Sequence, residues 1–274
     1  MELTLAHSPD ADDAFMFSAL ALGKIATEGY RFTHVLQDIE SLNRAACEGV
    51  YDVSAISFHA YPYVAKNYLL LPCGASVGDG YGPLVVVRED FPEGKEPAVV
   101  AVPGKLTTAY LTLKLWRPAW ETVTMPFDAI GPAVASGAVE AGLLIHEGQL
   151  TYAREGLKKI VDLGAWWQEE TGLPLPLGGN VIHRRHAARA TLINGILREA
   201  IAWALAHREE ALAYALTFAR GLKRNEADRF VGMYVNEWTL DLGEVGRRAV
   251  AVLLDRGYRA GLIEAPPRLA WVKE

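Results

Sequence analysis

The sequence predicts an α/β protein of two lobes, each a mostly parallel sheet flanked by helices, with a ligand cleft between them. Strand patterns alternate with helical patterns through the first two-thirds of the 274 residues. Two Pro- and Gly-rich segments, 89–97 and 173–180, interrupt this alternation and are typical of crossovers between halves. From residue 187 the pattern is mostly helical. We therefore expect a first lobe of residues 1–90 plus 185–274 and a second lobe of residues 91–184.

The first half follows a βαβαβαββ order. Asp12 and Asp13 open its first helix, where carboxylates suit the positive end of the helix dipole. Predicted strands are 2–6, 31–37, 51–57, 69–72 and 84–88, and predicted helices are 14–25, 38–49 and 59–68.

A second strand–helix series follows the first crossover. Its predicted strands are 98–102, 122–125 and 141–145, and its predicted helices are 107–116, 130–136 and 150–155. The C-terminal helices are predicted at 187–207, 209–220, 226–233 and 243–257. Trp166 and Trp167 are predicted to pack at the edge of the second lobe.

Composition narrows the function classes. A net charge of -6, from 27 basic and 33 acidic residues, argues against nucleic acid as a partner. The presence of only two cysteines, Cys47 and Cys73, excludes a disulfide framework, and two ordinary buried thiols are expected in preference to one disulfide bond. The absence of a signal-peptide pattern and of a long apolar run predicts a cytoplasmic protein with no membrane partner.

Ligands of parallel α/β sheets lie at the carboxyl ends of the strands, so the residues there are the candidates. His146 follows a buried strand and has a side chain suited to proton transfer near neutrality, although a structural histidine would look the same. Thr107 and Thr108 open a helix and offer an anion site, or simply cap that helix. The stretch 54–57 ends a strand in the same way, and its residues taken alone favour a helix cap over ligand binding.

Other chemistries are less favoured. Asp10, Asp12 and Asp13 form a carboxylate cluster that could ligate a metal but mainly suits a helix start. The seven histidines show no metal-ligand spacing, and no G-x-S-x-G elbow is present. The residues alone leave open a binding or sensing protein and an enzyme on the same scaffold.

Six segments in order resemble the 1,4-dihydroxy-6-naphthoate synthase family of the futalosine route to menaquinone. The resemblance covers nearly the whole chain, and chorismate dehydratase, on the same scaffold, is the nearest alternative. The six segments are H-S-P-D-A-D-D-A-F-M-F (7–17), L-Q-D-I-E-S-L-N (36–43), D-V-S-A-I-S (52–57), S-V-G-D-G-Y-G-P (76–83), V-P-G-K-L-T-T-A (102–109) and L-I-H-E-G-Q (144–149).

This resemblance implies a type II periplasmic-binding-protein fold used as a lyase. The implied reaction converts cyclic dehypoxanthine futalosine, an aromatic carboxylate, to 1,4-dihydroxy-6-naphthoate with release of dihydroxyacetone. No metal and no organic cofactor are implied.

The resemblance also implies roles for particular residues. The general base is the histidine of L-I-H-E-G, His146 in this sequence. Asn43, near a helix start, is a further candidate contact or a turn residue. The substrate contacts implied by the family are Ala55, Ile56, Ser57, Thr107 and Thr108.

Overall fold

The computed structural model describes residues 1–219, 222–266 and 268–273, and its strands form two sheets. The strands are β1 (Glu2–His7), β2 (Arg31–Leu36), β3 (Val53–Ser57), β4 (Tyr68–Leu70), β5 (Ser76–Gly78), β6 (Leu84–Arg88), β7 (Val99–Val102), β8 (Glu121–Thr124), β9 (Ala141–Leu144), β10 (Leu157–Asp162) and β11 (Leu175–His183).

Helices flank both sheets and follow the strands in the predicted alternation. They are α1 (Ala11–Met16), α2 (Ser18–Ala21), α3 (Ile39–Cys47), α4 (Tyr61–Val64), α5 (Thr108–Trp116), α6 (Phe127–Ala135), α7 (Gly148–Thr151), α8 (Leu163–Thr171), α9 (Ala190–Ala206), α10 (Arg208–Ala215), α11 (Arg224–Tyr234), α12 (Glu237–Leu240) and α13 (Gly243–Arg259).

The two sheets repeat one topology. The first has the order β2-β1-β3-β11-β4, with β5 also paired to β11, and the second has the order β8-β7-β9-β6-β10. In the first sheet β11 runs against its neighbours β3, β4 and β5. In the second sheet β6 runs against β9 and β10. β6 is the strand by which the chain enters the second sheet, and β11 is the strand by which it returns to the first. The remaining strands of each sheet point one way.

The change of sheet occurs earlier in the chain than the sequence predicts, at both crossovers. Residues 84–88, expected in the first lobe, form β6 of the second sheet, because an apolar run does not show which strands it will pair with. Residues 175–183, expected in the second lobe, form β11 of the first sheet. The sequence did not predict this strand because it contains Pro176. The proline is tolerated there because the β11–β5 register shifts between Pro176 and Gly178.

Trp167 is not at an edge of the second lobe, contrary to the prediction. It lies on α8 with no exposed surface, and its indole Nε1 donates a hydrogen bond to the Pro174 carbonyl at 3.2 Å. Its ring belongs to an apolar cluster that includes Ile56 of β3 and Leu253 of α13. Trp167 therefore ties α8 of the second lobe to the core of the first.

The C-terminal helices pack on the first sheet. α13 buries one face at helical spacing, including Ala249, Val250, Leu253 and Leu254. Another cluster joins α1 and the strand β1 to α9, α10 and α11. Within the described part of the chain, no helix has the length and apolar character to cross a membrane.

The two cysteines are free thiols, as the sequence predicts. Cys73 is buried as expected, whereas Cys47 is only half-buried, contrary to the prediction.

Candidate active site

The ends of β1, β3 and β9 and the start of α5 meet at a cavity between the lobes, with a volume of about 710 Å³ including its open side. Six of the seven predicted site residues line it, and they are Ala55, Ile56, Ser57, Thr107, Thr108 and His146. Its other lining residues are Ser8, Asp10, Asp12, Asp13, Ile39, Gly74, Ser76, Pro83, Ala109, Ile145, Gln149, Leu177, Gly178, Gly179, Phe230 and Tyr234.

His146 is held two residues beyond β9 in a backbone conformation that is rare for a side chain of this size. Its φ of 51° lies in the left-handed region, which disfavours residues other than glycine by about 1 kcal/mol or more. Nδ1 lies 3.0 Å from Oδ2 of Asp10, and the ring packs edge-on against Phe127 at 5.0 Å. Such strain at a cavity wall is characteristic of functional residues.

Asp10 is the N-cap of α1, and its carboxylate accepts the backbone N–H of Asp13 at 3.4 Å. Its burial would raise its pKa. The charge and hydrogen bond of His146, together with a hydrogen bond from Asp12, outweigh burial and lower the pKa of Asp10 to about 2. Asp10 is therefore an ionised carboxylate at neutral pH, although only 2% of its surface is exposed.

The pKa values of Asp12 and Asp13 are raised, in contrast to that of Asp10. Burial and the charge of Asp10 raise the pKa of Asp13 to about 8, although the Ser8 N–H, at 2.7 Å from Oδ2, opposes this. Burial and the neighbouring charges of Asp10 and Asp13 raise the pKa of Asp12 well above its usual range. Among the described residues, no hydrogen-bond partner reaches Oδ1 of Asp12. These shifts favour the neutral forms of Asp12 and Asp13 and the ionised form of Asp10.

Asp10, Asp12 and His146 could also hold a cation. One ligand atom from each lies within 4.8 Å of the others. Carboxylate and imidazole donors suit Zn²⁺. A metal here would replace the Asp10–His146 hydrogen bond, so the two uses of these residues exclude each other.

Thr107 and Thr108 both contact the cavity, but their hydroxyls already have partners. Thr107 is the N-cap of α5, and its Oγ1 accepts the Tyr110 N–H at 3.1 Å and donates to the Gly104 carbonyl at 2.8 Å. Thr108 Oγ1 donates to the Leu177 carbonyl at 2.6 Å. The polar groups that α5 offers to a ligand are thus its first-turn N–H groups rather than these hydroxyls.

Asn43, a predicted substrate contact, is not among the residues that line the cavity. It is fully buried behind Ser57. Its Nδ2 donates to Ser57 Oγ at 3.1 Å, and its Oδ1 accepts the Ser57 N–H at 2.8 Å. Asn43 therefore positions Ser57, which does contact the cavity.

The sequence did not identify the part of the wall that comes from β11 and the C-terminal helices. Leu177, Gly178 and Gly179 lie on β11, whose strand character was missed. Tyr234 ends α11 and donates its hydroxyl hydrogen to Oε1 of Gln149 at 2.6 Å. Gln149 follows His146 within one sequence segment and could have been found there, whereas Tyr234 gave no such signal because it follows no strand.

Fold and site together define a class: two-lobed α/β proteins with a cleft between the lobes, here with an acid–base cluster in the wall of the cleft. The fold is shared with periplasmic binding proteins. The alkanesulfonate-binding protein from Xanthomonas axonopodis pv. citri matches with a TM-score of 0.71 at 13% identity, over 99% of this chain and 96% of that one. A Candida albicans protein described as having the generic periplasmic binding protein fold gives 0.71 at 13%, over 100% of this chain and 98% of that one. The two-lobed prediction is confirmed.

The chain belongs to the menaquinone biosynthesis family, which matches residues 3–259. The 1,4-dihydroxy-6-naphthoate synthase of Thermus thermophilus is 43% identical over 98% of this chain and 99% of its own length. That of Streptomyces coelicolor is 39% identical over 98% of both. A crystal structure of an Archaeoglobus fulgidus protein matches with a TM-score of 0.89 at 47% identity, over 96% of this chain and 98% of that one. The resemblance that the six segments suggested is confirmed.

Proposed function

We propose that the chain is a carbon–carbon lyase that converts cyclic dehypoxanthine futalosine to 1,4-dihydroxy-6-naphthoate and dihydroxyacetone. Two full-length relatives with the name of this synthase support the product. The observation that carries the proposal is His146 in the wall of the cleft, with Nδ1 3.0 Å from an ionised carboxylate. A base of this kind is what the removal of a proton from the substrate requires.

His146 acts as the general base in this proposal. Nδ1 faces Asp10, so it carries the hydrogen of that bond, and Nε2 is the ring nitrogen that accepts the substrate proton. The bonded carboxylate stabilises the imidazolium that forms.

The substrate carboxylate is placed at the first turn of α5. No lysine or arginine is among the residues that line the cavity, so neutral donors must bind the anion. The first-turn N–H groups at Thr108 and Ala109 and the positive end of the helix dipole supply such donors. Protonation of Asp12 and Asp13 limits the repulsion that the acidic wall would exert on an anion. Ala55, Ile56 and Ser57, at the end of β3, contact the rest of the substrate.

Contacts between the lobes keep water from the reaction. The Thr108 hydroxyl reaches β11, and the Leu106 N–H donates to Glu40 at 3.1 Å. Tyr234 and Gln149 join α11 to α7. Closure of this kind strengthens electrostatic interactions with the substrate and commits it to reaction.

Incubation with cyclic dehypoxanthine futalosine tests the proposal. We expect mass spectrometry to show loss of the substrate and equal amounts of the naphthoate and dihydroxyacetone. A His146→Gln variant purified in the same way serves as the control for contaminating enzymes and should give no product. Unchanged substrate with equimolar wild-type protein would favour a binding protein without this activity.

The same assay with EDTA tests the alternative use of Asp10, Asp12 and His146 as metal ligands. We expect turnover to survive the chelator, because the proposed chemistry needs only proton transfer. Activity that is lost in EDTA and restored by Zn²⁺ would contradict this assignment. The cytoplasmic location stays a prediction from the sequence.

A further inference from the structure

The two members of the Asp10–His146 pair belong to different lobes. Asp10 follows β1 of the first sheet and caps α1, whereas His146 follows β9 of the second sheet. Their side chains meet across the cleft with Nδ1 and Oδ2 3.0 Å apart, and only 16% of the imidazole side chain and 2% of the carboxylate are exposed. Any separation of the lobes would part the pair.

The surroundings of the pair make Asp10 its anionic partner. The other titratable groups near the pair are Asp12 and Asp13 on α1, Glu147 beside His146, and His7 at the end of β1. Asp13 and Asp12 are held as neutral acids, and burial and the neighbouring His34 lower the pKa of His7 to about 4, so that it is neutral as well. Asp10 alone of the three aspartates combines an ionised state with a direct bond to the ring.

We propose that Asp10 is a positioning residue for His146, supplied across the cleft by the opposite lobe. This inference rests on the proposed function, in which His146 is the base. The carboxylate fixes the orientation of the ring and keeps the hydrogen on Nδ1. The substrate proton goes to Nε2, the imidazolium that forms is stabilised by Asp10, and no proton passes to Asp10.

Asp10→Asn is a selective variant for this purpose. Asparagine caps a helix as well as aspartate does, so the bond to the Asp13 N–H and the start of α1 are retained. The amide has the size of the carboxylate but lacks its charge. Asp38→Asn is the matched control, because Asp38 caps α3 through the Ser41 N–H at 3.0 Å and does not line the cavity.

The first measurement needs no substrate. Nitrogen-15 NMR of histidine-labelled protein follows the ring of His146, which is assigned by its absence in His146→Gln. We expect the titration midpoint of this ring to fall by at least half a pH unit in Asp10→Asn, because the neutral partner no longer stabilises the imidazolium. The Asp38→Asn midpoint should match that of the wild type. An unchanged midpoint in Asp10→Asn would overturn the inference, even if the protein had no activity on the proposed substrate.

The second measurement is the pH dependence of turnover. We expect Asp10→Asn to lower kcat at least tenfold, to change KM less than threefold, and to move the rising limb of the kcat profile to lower pH. Asp38→Asn should behave as the wild type. Wild-type turnover with unchanged kcat and profile in Asp10→Asn would refute the role of Asp10 and leave the proposed function standing. An inactive wild type would refute the proposed function, and the NMR titration would still decide whether Asp10 and His146 interact.

Discussion

At the scale of single residues, His146 brings together a left-handed backbone, a ring packed on Phe127 and a buried carboxylate partner. A structural histidine needs none of these. The carboxylate partner and the cavity beside His146 favour the proposed role of a base over that of a histidine that merely satisfies a loop carbonyl.

Replacement of His146 by alanine is expected to lower kcat by about 10²–10⁴-fold, the usual contribution of a general base. Binding of the naphthoate product, followed by titration calorimetry, should change little, because the proposed anion site is at α5 and not at His146. His207→Ala, at an exposed position outside the cavity, is the control and should retain wild-type kcat. Near-normal turnover by a folded His146→Ala variant would rule out the base assignment.

The raised pKa of Asp13 predicts that the stability of the fold depends on pH. Its pKa is about 8 in the folded protein against 3.8 ordinarily, so the folded state holds one more proton between about pH 4 and 8. The free energy of unfolding therefore falls as pH rises through this window, by up to about 1.4 kcal/mol per pH unit. Asp13→Asn should flatten this fall, because the amide does not titrate. Its oxygen can still accept the Ser8 N–H, so the local structure is retained.

Urea unfolding at pH 5, 6, 7 and 8 measures this effect. Equal slopes of unfolding free energy against pH in the wild type and in Asp13→Asn would show that Asp13 is ionised throughout. The Asp38→Asn variant loses the carboxylate that caps α3 and controls for the general effect of losing one aspartate.

At the scale of elements, α5 connects helix capping to ligand binding. Thr107→Ala removes the cap and is expected to lower stability by about 1 kcal/mol. Because the first-turn N–H groups then lose their alignment, substrate binding should weaken by about 1–3 kcal/mol, measured as a raised KM with kcat nearly unchanged. Thr107→Ser keeps the hydroxyl and should stay close to the wild type. A KM unchanged in Thr107→Ala would place the substrate carboxylate elsewhere.

Gly142 allows helix α6 to pack directly on β9, the strand that precedes His146. A Cβ at this position would overlap Cγ2 of Ile130 and lie 2.8 Å from Cγ2 of Val134. Gly142→Ala is therefore expected to destabilise the protein by about 1–3 kcal/mol in urea unfolding. Gly148→Ala is the matched control, because its Cβ would meet Leu144 no closer than 3.6 Å. Equal stability of the two variants would show that α6 adjusts without cost.

Strand–helix alternation and residues at strand ends were sufficient to predict most elements and the position of His146 in the cleft. They did not reveal β11, since Pro176 and two glycines mask a strand that tolerates them only at a register shift. They also did not reveal that Asn43 bonds Ser57, because a sequence does not show whether an amide faces a ligand or a neighbouring residue. The position of Tyr234 in the cavity wall could not be predicted either, because it depends on how the C-terminal helices return to the first lobe.

At the scale of the whole molecule, the two lobes form one packed body with a shared core. Trp167 and Leu111, from the second lobe, lie in an apolar cluster of the first. The Asp10–His146 and Tyr234–Gln149 bonds add polar contacts across the same boundary. Changes that loosen this boundary should therefore affect turnover even when they lie far from the substrate.

The late position of β11 in the sequence also sets the order in which the two sheets can form during synthesis on the ribosome. The second sheet comes from one uninterrupted stretch, residues 84–162, whereas β4 and β5 of the first sheet pair only with β11 among the described strands. These two strands must wait for residue 183 to be synthesised, while the second lobe can already close its sheet. Refolding of the full chain keeps the same difference in sequence separation between paired strands, so in pulsed hydrogen exchange the amides of β7 and β9 should gain protection before those of β4 and β5. Simultaneous protection of both groups would mean that the lobes form as a single cooperative unit.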